Sequence, residues 1–149
     1  MKAPSATAAF VMTLSLSACG FDVMYADWKV DRLCKVDGGN TIYSHDVLPD
    51  SLLLANGNID VMSMERGEER ASHYLKYNST EIEYRDPSIT RLEGLLIRRR
   101  DGEVLGKSVV YIRPMQNTGI PLLHRSAHSC PPDGPITGMV YAVFQRERR

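Results

Sequence analysis

The sequence has no surplus of charge: 18 Lys and Arg stand against 18 Asp and Glu, a balance that gives no pull toward nucleic acid. It contains no internal repeat, no low-complexity block, no glycine loop of the phosphate-cradling kind and no CxxC pair. Its first apolar run, residues 8–16, is too short to cross a membrane. Ten or so helical residues rise about 15 Å, whereas the hydrocarbon core takes roughly 20 residues. Cysteine is scarce, with three in 149 residues.

What is present begins at the N-terminus. Met1 and Lys2 give a positive start, an uncharged apolar stretch follows, and no acidic residue precedes Asp22. That is the layout of a secretory signal. Leu16-Ser17-Ala18-Cys19 then resembles the lipobox of bacterial lipoproteins, in which an aliphatic and two small residues precede the cysteine that is acylated and becomes the new N-terminus. The resemblance covers the first twenty residues. It implies a signal over 1–18, lipidation of Cys19 and a tether over 19–25. Each buried methylene contributes about 0.8 kcal/mol, so several acyl chains would anchor the protein almost permanently. Gly20 stands where the family often carries the aspartate of inner-membrane retention, which favours the outer membrane, facing the periplasm or the surface.

Removing residues 1–18 takes away one lysine and no acid, leaving 17 basic against 18 acidic residues and one domain's worth of chain, 26–149. With Cys19 lipidated, Cys34 and Cys130 remain, and an oxidising periplasm favours their pairing. The alternative is two separate buried thiols.

Residues 26–37 place Val30, Leu33, Cys34 and Asp37 near one helical face, with Asp27 as a plausible N-cap and Gly38-Gly39 as the stop. Residues 40–48 read as a strand and 49–57 as a helix between Pro49 and Gly57. The charged connection over 58–72 has no legible local structure. Residues 73–84 read as one or two strands with a turn near Asn78-Ser79. Residues 91–114 form the clearest signal, a hairpin around Asp101-Gly102. A two-residue turn there sets Arg100 opposite Glu103, Arg98 opposite Leu105, Leu96 opposite Lys107 and Leu92 opposite Tyr111. Residues 138–146, apolar at both parities, read as a central strand. The expected fold class is α+β: an antiparallel sheet with one or two packed helices, stapled by the disulfide.

The 23 residues of 114–136 hold five prolines and no periodicity. Loops of that length in a compact domain often bind something, so His124, Arg125 and His128 form a candidate recognition loop; a disulfide-clamped connection is the plainer alternative. His124, His128 and Cys130 invite a metal reading, but Pro131-Pro132 disfavours a helix and a disulfide would consume the thiolate. Ser126 or Ser129 beside a histidine lacks the glycine context of a nucleophile elbow. Glu81 and Glu83 share a strand face, which an exposed polar face explains. Arg98, Arg99 and Arg100 at the hairpin tip, with Lys107 nearby, can meet anionic headgroups or serve as edge protection.

The expectation is therefore a lipid-anchored envelope protein that binds or scaffolds, with no catalysis, no cofactor and no metal. Its partners would be the membrane, through the N-terminal lipid, and an envelope protein or cell-wall polymer. Two other functions stay open: inhibition of an extracellular hydrolase such as lysozyme, on architecture alone, and a periplasmic hydrolase using His124 or His128.

Overall fold

The computed structural model describes residues 6–115, 126–132 and 135–144, with side chains from Phe21 onward except that of Pro135. Helix α1, Ala6–Asp37, runs through residues 19–25 and stops at the paired glycines. The Gly38 amide still donates to the Cys34 carbonyl at 2.7 Å, and Gly39 takes φ +102°, a conformation glycine adopts without steric cost. Asp27 is not an N-cap, because the helix begins well upstream and leaves no free amide for it to accept.

Five antiparallel strands form one sheet: β1 Gly39–Ile42, β2 His73–Glu83, β3 Ile89–Arg98, β4 Val104–Arg113 and β5 His128–Cys130. The order is β1-β4-β3-β2, and β5 joins β4 beyond the end of β1. Short helices α2, Val61–Glu65, and α3, Pro135–Val143, complete the chain. The fold is α+β, stapled by a Cys34–Cys130 disulfide.

Alternation along β4 separates two cores. Val109 and Tyr111 pack with Ile89 against Ala26, Val30 and Cys34 of α1. On the opposite face Leu96 and Leu105 meet Met139, Val140, Val143 and Phe144 of the α3 segment, together with Leu52, Met64 and Leu75. A helix thus covers each side of the sheet.

The stretch read as a central strand, 138–146, is α3 where it is described. Apolarity at both parities fits a covered strand, but Ile136, Met139, Val140, Val143 and Phe144 recur at three- and four-residue spacing and form one buried stripe. Pro135 stands at the first helical position, where its missing amide costs nothing.

The hairpin closes through four residues, 99–102, with Gly102 at φ +73°. The Arg98 amide donates to the Glu103 carbonyl and the Gly102 amide to that of Arg98, each at 2.9 Å. Leu96 therefore lies opposite Gly106, Leu95 opposite Lys107, Leu92 opposite Val110 and Arg91 opposite Tyr111. The four-residue closure thus sets Arg98 opposite Glu103, two residues off the expected pairing with Leu105, and Leu105, an extra, bulged residue on β4, reduces the offset to one along the rest of the hairpin. A one-residue slip changes which face each side chain takes. Here it places Gly106 under α3, where an added Cβ would stand 3.1 Å from Met139 Cγ.

The same bulge shortens β1. Tyr43 and Ser44 both donate to the Leu105 carbonyl, at 2.9 and 3.1 Å, and the ladder ends there instead of continuing to residue 48. The helix expected over 49–57 is a single 3₁₀ turn, Asp50–Leu52, after which Leu53 pairs with Ile59 across a tight turn with Gly57 at φ +83°. No turn interrupts Asn78-Ser79: β2 is continuous, since β3 offers it an unbroken partner from Arg98 to Thr90. In the 58–72 connection, Asp60 caps α2, accepting from the Ser63 amide at 3.1 Å and its hydroxyl at 2.6 Å.

Candidate functional site

Asp27, Asp31 and Cys34 follow one another at four and three residues, so a single edge of α1 carries all three. Each grips the strand region beyond it. Arg113, whose side chain is 3 % exposed, donates to Asp27 at 2.5 Å. His128 Nε2 lies 2.9 Å from Asp31 Oδ1, and Cys130 is bonded to Cys34. Arg113 also donates to the carbonyls of Pro114, at 3.1 Å, and Ser126, at 2.8 Å, so one guanidinium ties together two ends of the proline-rich loop.

Of the expected recognition residues, His128 is thus held against the helix. His124 and Arg125 lie outside the described residues, as does the side chain of Cys19. The metal trio loses Cys130 to the disulfide, and among the described residues no group of three His, Cys, Asp or Glu is placed to hold an ion.

A cleft of about 410 Å³ opens at the hairpin tip, between the 46–49 segment, residues 69–73 and Arg98 to Arg100. Its floor is a polar chain. Asp46 Oδ2 accepts from His73 Nε2 at 3.1 Å and from Arg98 at 3.0 Å. A carboxylate only accepts, so Nε2 carries the proton and Nδ1 is left to accept from the Ser72 hydroxyl, 2.9 Å away. His73 is 2 % exposed, and its ring stands edge-on to that of Phe144, 4.9 Å between centroids.

Burial lowers the His73 pKa, outweighing the opposing pull of Asp46, so the ring is neutral. Burial alone would raise Asp46, but hydrogen bonds from Arg98, the Val47 amide and His73 hold it below the usual carboxylate range. Arg98 also clasps Asp101 and Glu103. Arg99 donates to the carbonyls of Ala71, Gly67 and Glu68 and lies 5.1 Å over the Tyr74 ring. Arg98 and Arg99 are therefore structural, Arg98 fastening the tip to Asp46 and Arg99 fastening it to the 67–71 segment. Arg70 and Arg100, both well exposed, stand at the rim of the cleft, paired with Glu68 and Asp101 respectively.

Sequence reasoning missed Asp46, Ser72 and His73. They meet through strand pairing and a return of the 43–49 segment, and no local pattern announces that.

A second surface lies on α1. Phe21, Met24, Tyr25 and Trp28 are 66, 69, 61 and 51 % exposed. Beside them a groove of about 340 Å³ runs between the helix and the β2–β3 connection, bridged by Lys29 and Glu83 at 2.5 Å.

Comparison with protein-family models, curated proteins and solved structures returns no match. Among the described residues no helix is long and apolar enough to cross a membrane.

Proposed function

We propose that the chain is a lipid-anchored protein of the bacterial envelope that works by binding, its ligand contacts coming from the cleft at the hairpin tip and the loop clamped to α1. One observation carries this reading. The bond between Cys34 and Cys130 accounts for two of three cysteines, and the one left stands at the acylation position of a lipobox. Disulfides persist in exported proteins, so bond and anchor point to the same compartment. Radiolabelled palmitate fed to expressing cells should enter the wild-type chain and be absent from Cys19→Ala. An unlabelled wild type, or equal label in both, overturns the anchor.

The Ser72–His73–Asp46 chain supports a second reading, a hydrolase with Ser72 as nucleophile and His73 as base. Binding leads because the serine immediately precedes its histidine and lacks the strand–turn–helix glycine setting that exposes a nucleophile. A fluorophosphonate probe separates the two. Labelling lost in both Ser72→Ala and His73→Gln supports hydrolysis, and an unlabelled wild type supports binding.

A further inference from the structure

α1 has two unlike faces. Ala26, Val30 and Cys34 lie against the sheet. Phe21, Met24, Tyr25 and Trp28 recur at spacings of three and four residues on the opposite side, and Arg32 and Lys35 extend the same stripe. These large apolar residues are all more than half exposed, an arrangement that marks a surface with an occupant.

The stripe's chemistry selects that occupant. Tyr25 and Trp28 stack at 5.7 Å, and Arg32 lies 5.3 Å over the Trp28 ring. Trp and Tyr join an apolar body to a polar tip, which suits the headgroup level of a bilayer. Lysine and arginine on the same face favour anionic lipid. No acid interrupts the stripe: Asp27 and Asp31 are turned toward Arg113 and His128, and Asp22 lines the groove beside Lys29. Position agrees with chemistry, because Phe21 is two residues from Cys19, about 3 Å along the helix axis.

We infer that this face of α1 lies in the headgroup layer of the anchoring membrane, with the helix parallel to the bilayer and the sheet held above it. The inference rests on the lipid-anchor reading and adds an orientation to it. The Cys34–Cys130 bond and the Arg113–Asp27 pair fasten the helix to the sheet, so fixing α1 fixes the whole domain. A helix standing upright instead would lift Trp28 about 13 Å above its anchor.

Trp28 is the only tryptophan in the chain, so its emission reports this position alone. The full-length protein, purified from membranes with its acyl state read by mass spectrometry, is reconstituted into phosphatidylethanolamine/phosphatidylglycerol vesicles carrying lipids brominated near the headgroup or deep in the chains. Trp28 emission should shift to the blue, and shallow bromines should quench it at least twofold more strongly than deep ones. Met24→Glu with Tyr25→Glu should restore a solvent-like spectrum open to iodide while the acylated chain stays on the vesicles. An acylated, vesicle-bound wild type with unshifted, iodide-accessible Trp28 overturns the inference and leaves the anchor intact. A blue shift that appears without lipid and grows with protein concentration assigns the face to another copy of the chain, and also overturns it.

Discussion

Arg113 Nε lies 2.5 Å from Asp27 Oδ1 across 86 residues of sequence, joining the end of β4 to the middle of α1. The guanidinium is almost wholly enclosed and the carboxylate about one-third exposed. Removing one partner of such a pair strands the other, a larger loss than the pair's net worth.

Arg113→Ala should therefore cost about 2 to 3 kcal/mol, below the loss for a fully buried pair because Asp27 meets water. Urea denaturation of the oxidised chain measures it. Arg113→Met combined with Asp27→Leu should cost less than Arg113→Ala alone, since no charge is then left behind. A single-variant loss under about 1 kcal/mol, the range of exposed pairs, would show that the contact does not hold α1 to the sheet.

Gly38 is needed for a close approach. A Cβ there would stand 2.6 Å from both the carbonyl oxygen and the Sγ of Cys34, neither of which can yield freely. Gly38→Ala should lower the thermal midpoint and slow recovery of the disulfide on oxidative refolding, read by free-thiol titration. In a Cys34→Ala/Cys130→Ala background the same change should cost less, because the sulfur contact is gone. That background itself should lose several kcal/mol, given about 4 to 5 kcal/mol for restraining a loop of roughly 100 residues. Equal Gly38→Ala losses in both backgrounds would mean that the carbonyl contact alone sets the requirement.

The features legible in the sequence were those with local causes. The Gly38-Gly39 stop and the hairpin around Asp101-Gly102 each follow from a few neighbouring residues, while the Cys34–Cys130 bond, 96 residues apart, is expected only once Cys19 is set aside. α3 is not legible in the sequence because an apolar run of this length satisfies the strand and helix patterns alike, and only Pro135 at its start marks a helix. The register slip begins at the four-residue turn and is halved at Leu105, where the bulge meets β1 and the α3 packing. The tip cleft was illegible for another reason. Asp46, His73 and Arg98 lie 27 and 52 residues apart in the pairs they form, and nothing near any of them encodes the meeting. His128 reads as a recognition residue from the sequence because its partner, Asp31, is 97 residues away.

Ser108 is fully buried, and its hydroxyl has no hydrogen-bond partner among the described residues. A buried polar group left unmatched costs about 1 to 3 kcal/mol. Ser108→Ala keeps the backbone, removes the oxygen and leaves only a small void, so it should raise stability by about 1 kcal/mol in urea denaturation. A loss on this substitution would reveal that the hydroxyl is satisfied.

Stability should fall in two steps on acidification. His73 is neutral when folded because burial lowers its pKa, whereas in the unfolded chain it titrates near 6.5. Below that pH the unfolded state binds a proton that the folded state refuses, so folding weakens as pH drops, by at most about 1.4 kcal/mol per unit. The second step belongs to carboxylates with depressed values. Asp37 is held low by the Tyr111 hydroxyl and Arg91, and Asp46 by Arg98, the Val47 amide and His73 against the effect of its own burial. Their stabilisation is complete above the unfolded value near 4 and is lost as pH falls through the lower folded values. Urea midpoints measured from pH 8 to pH 3 should show both declines. His73→Gln should flatten the upper one, between about pH 6.5 and 5, and leave the lower in place. An unchanged upper slope in that variant would move the proton uptake to another group and return His73 to a role of packing alone.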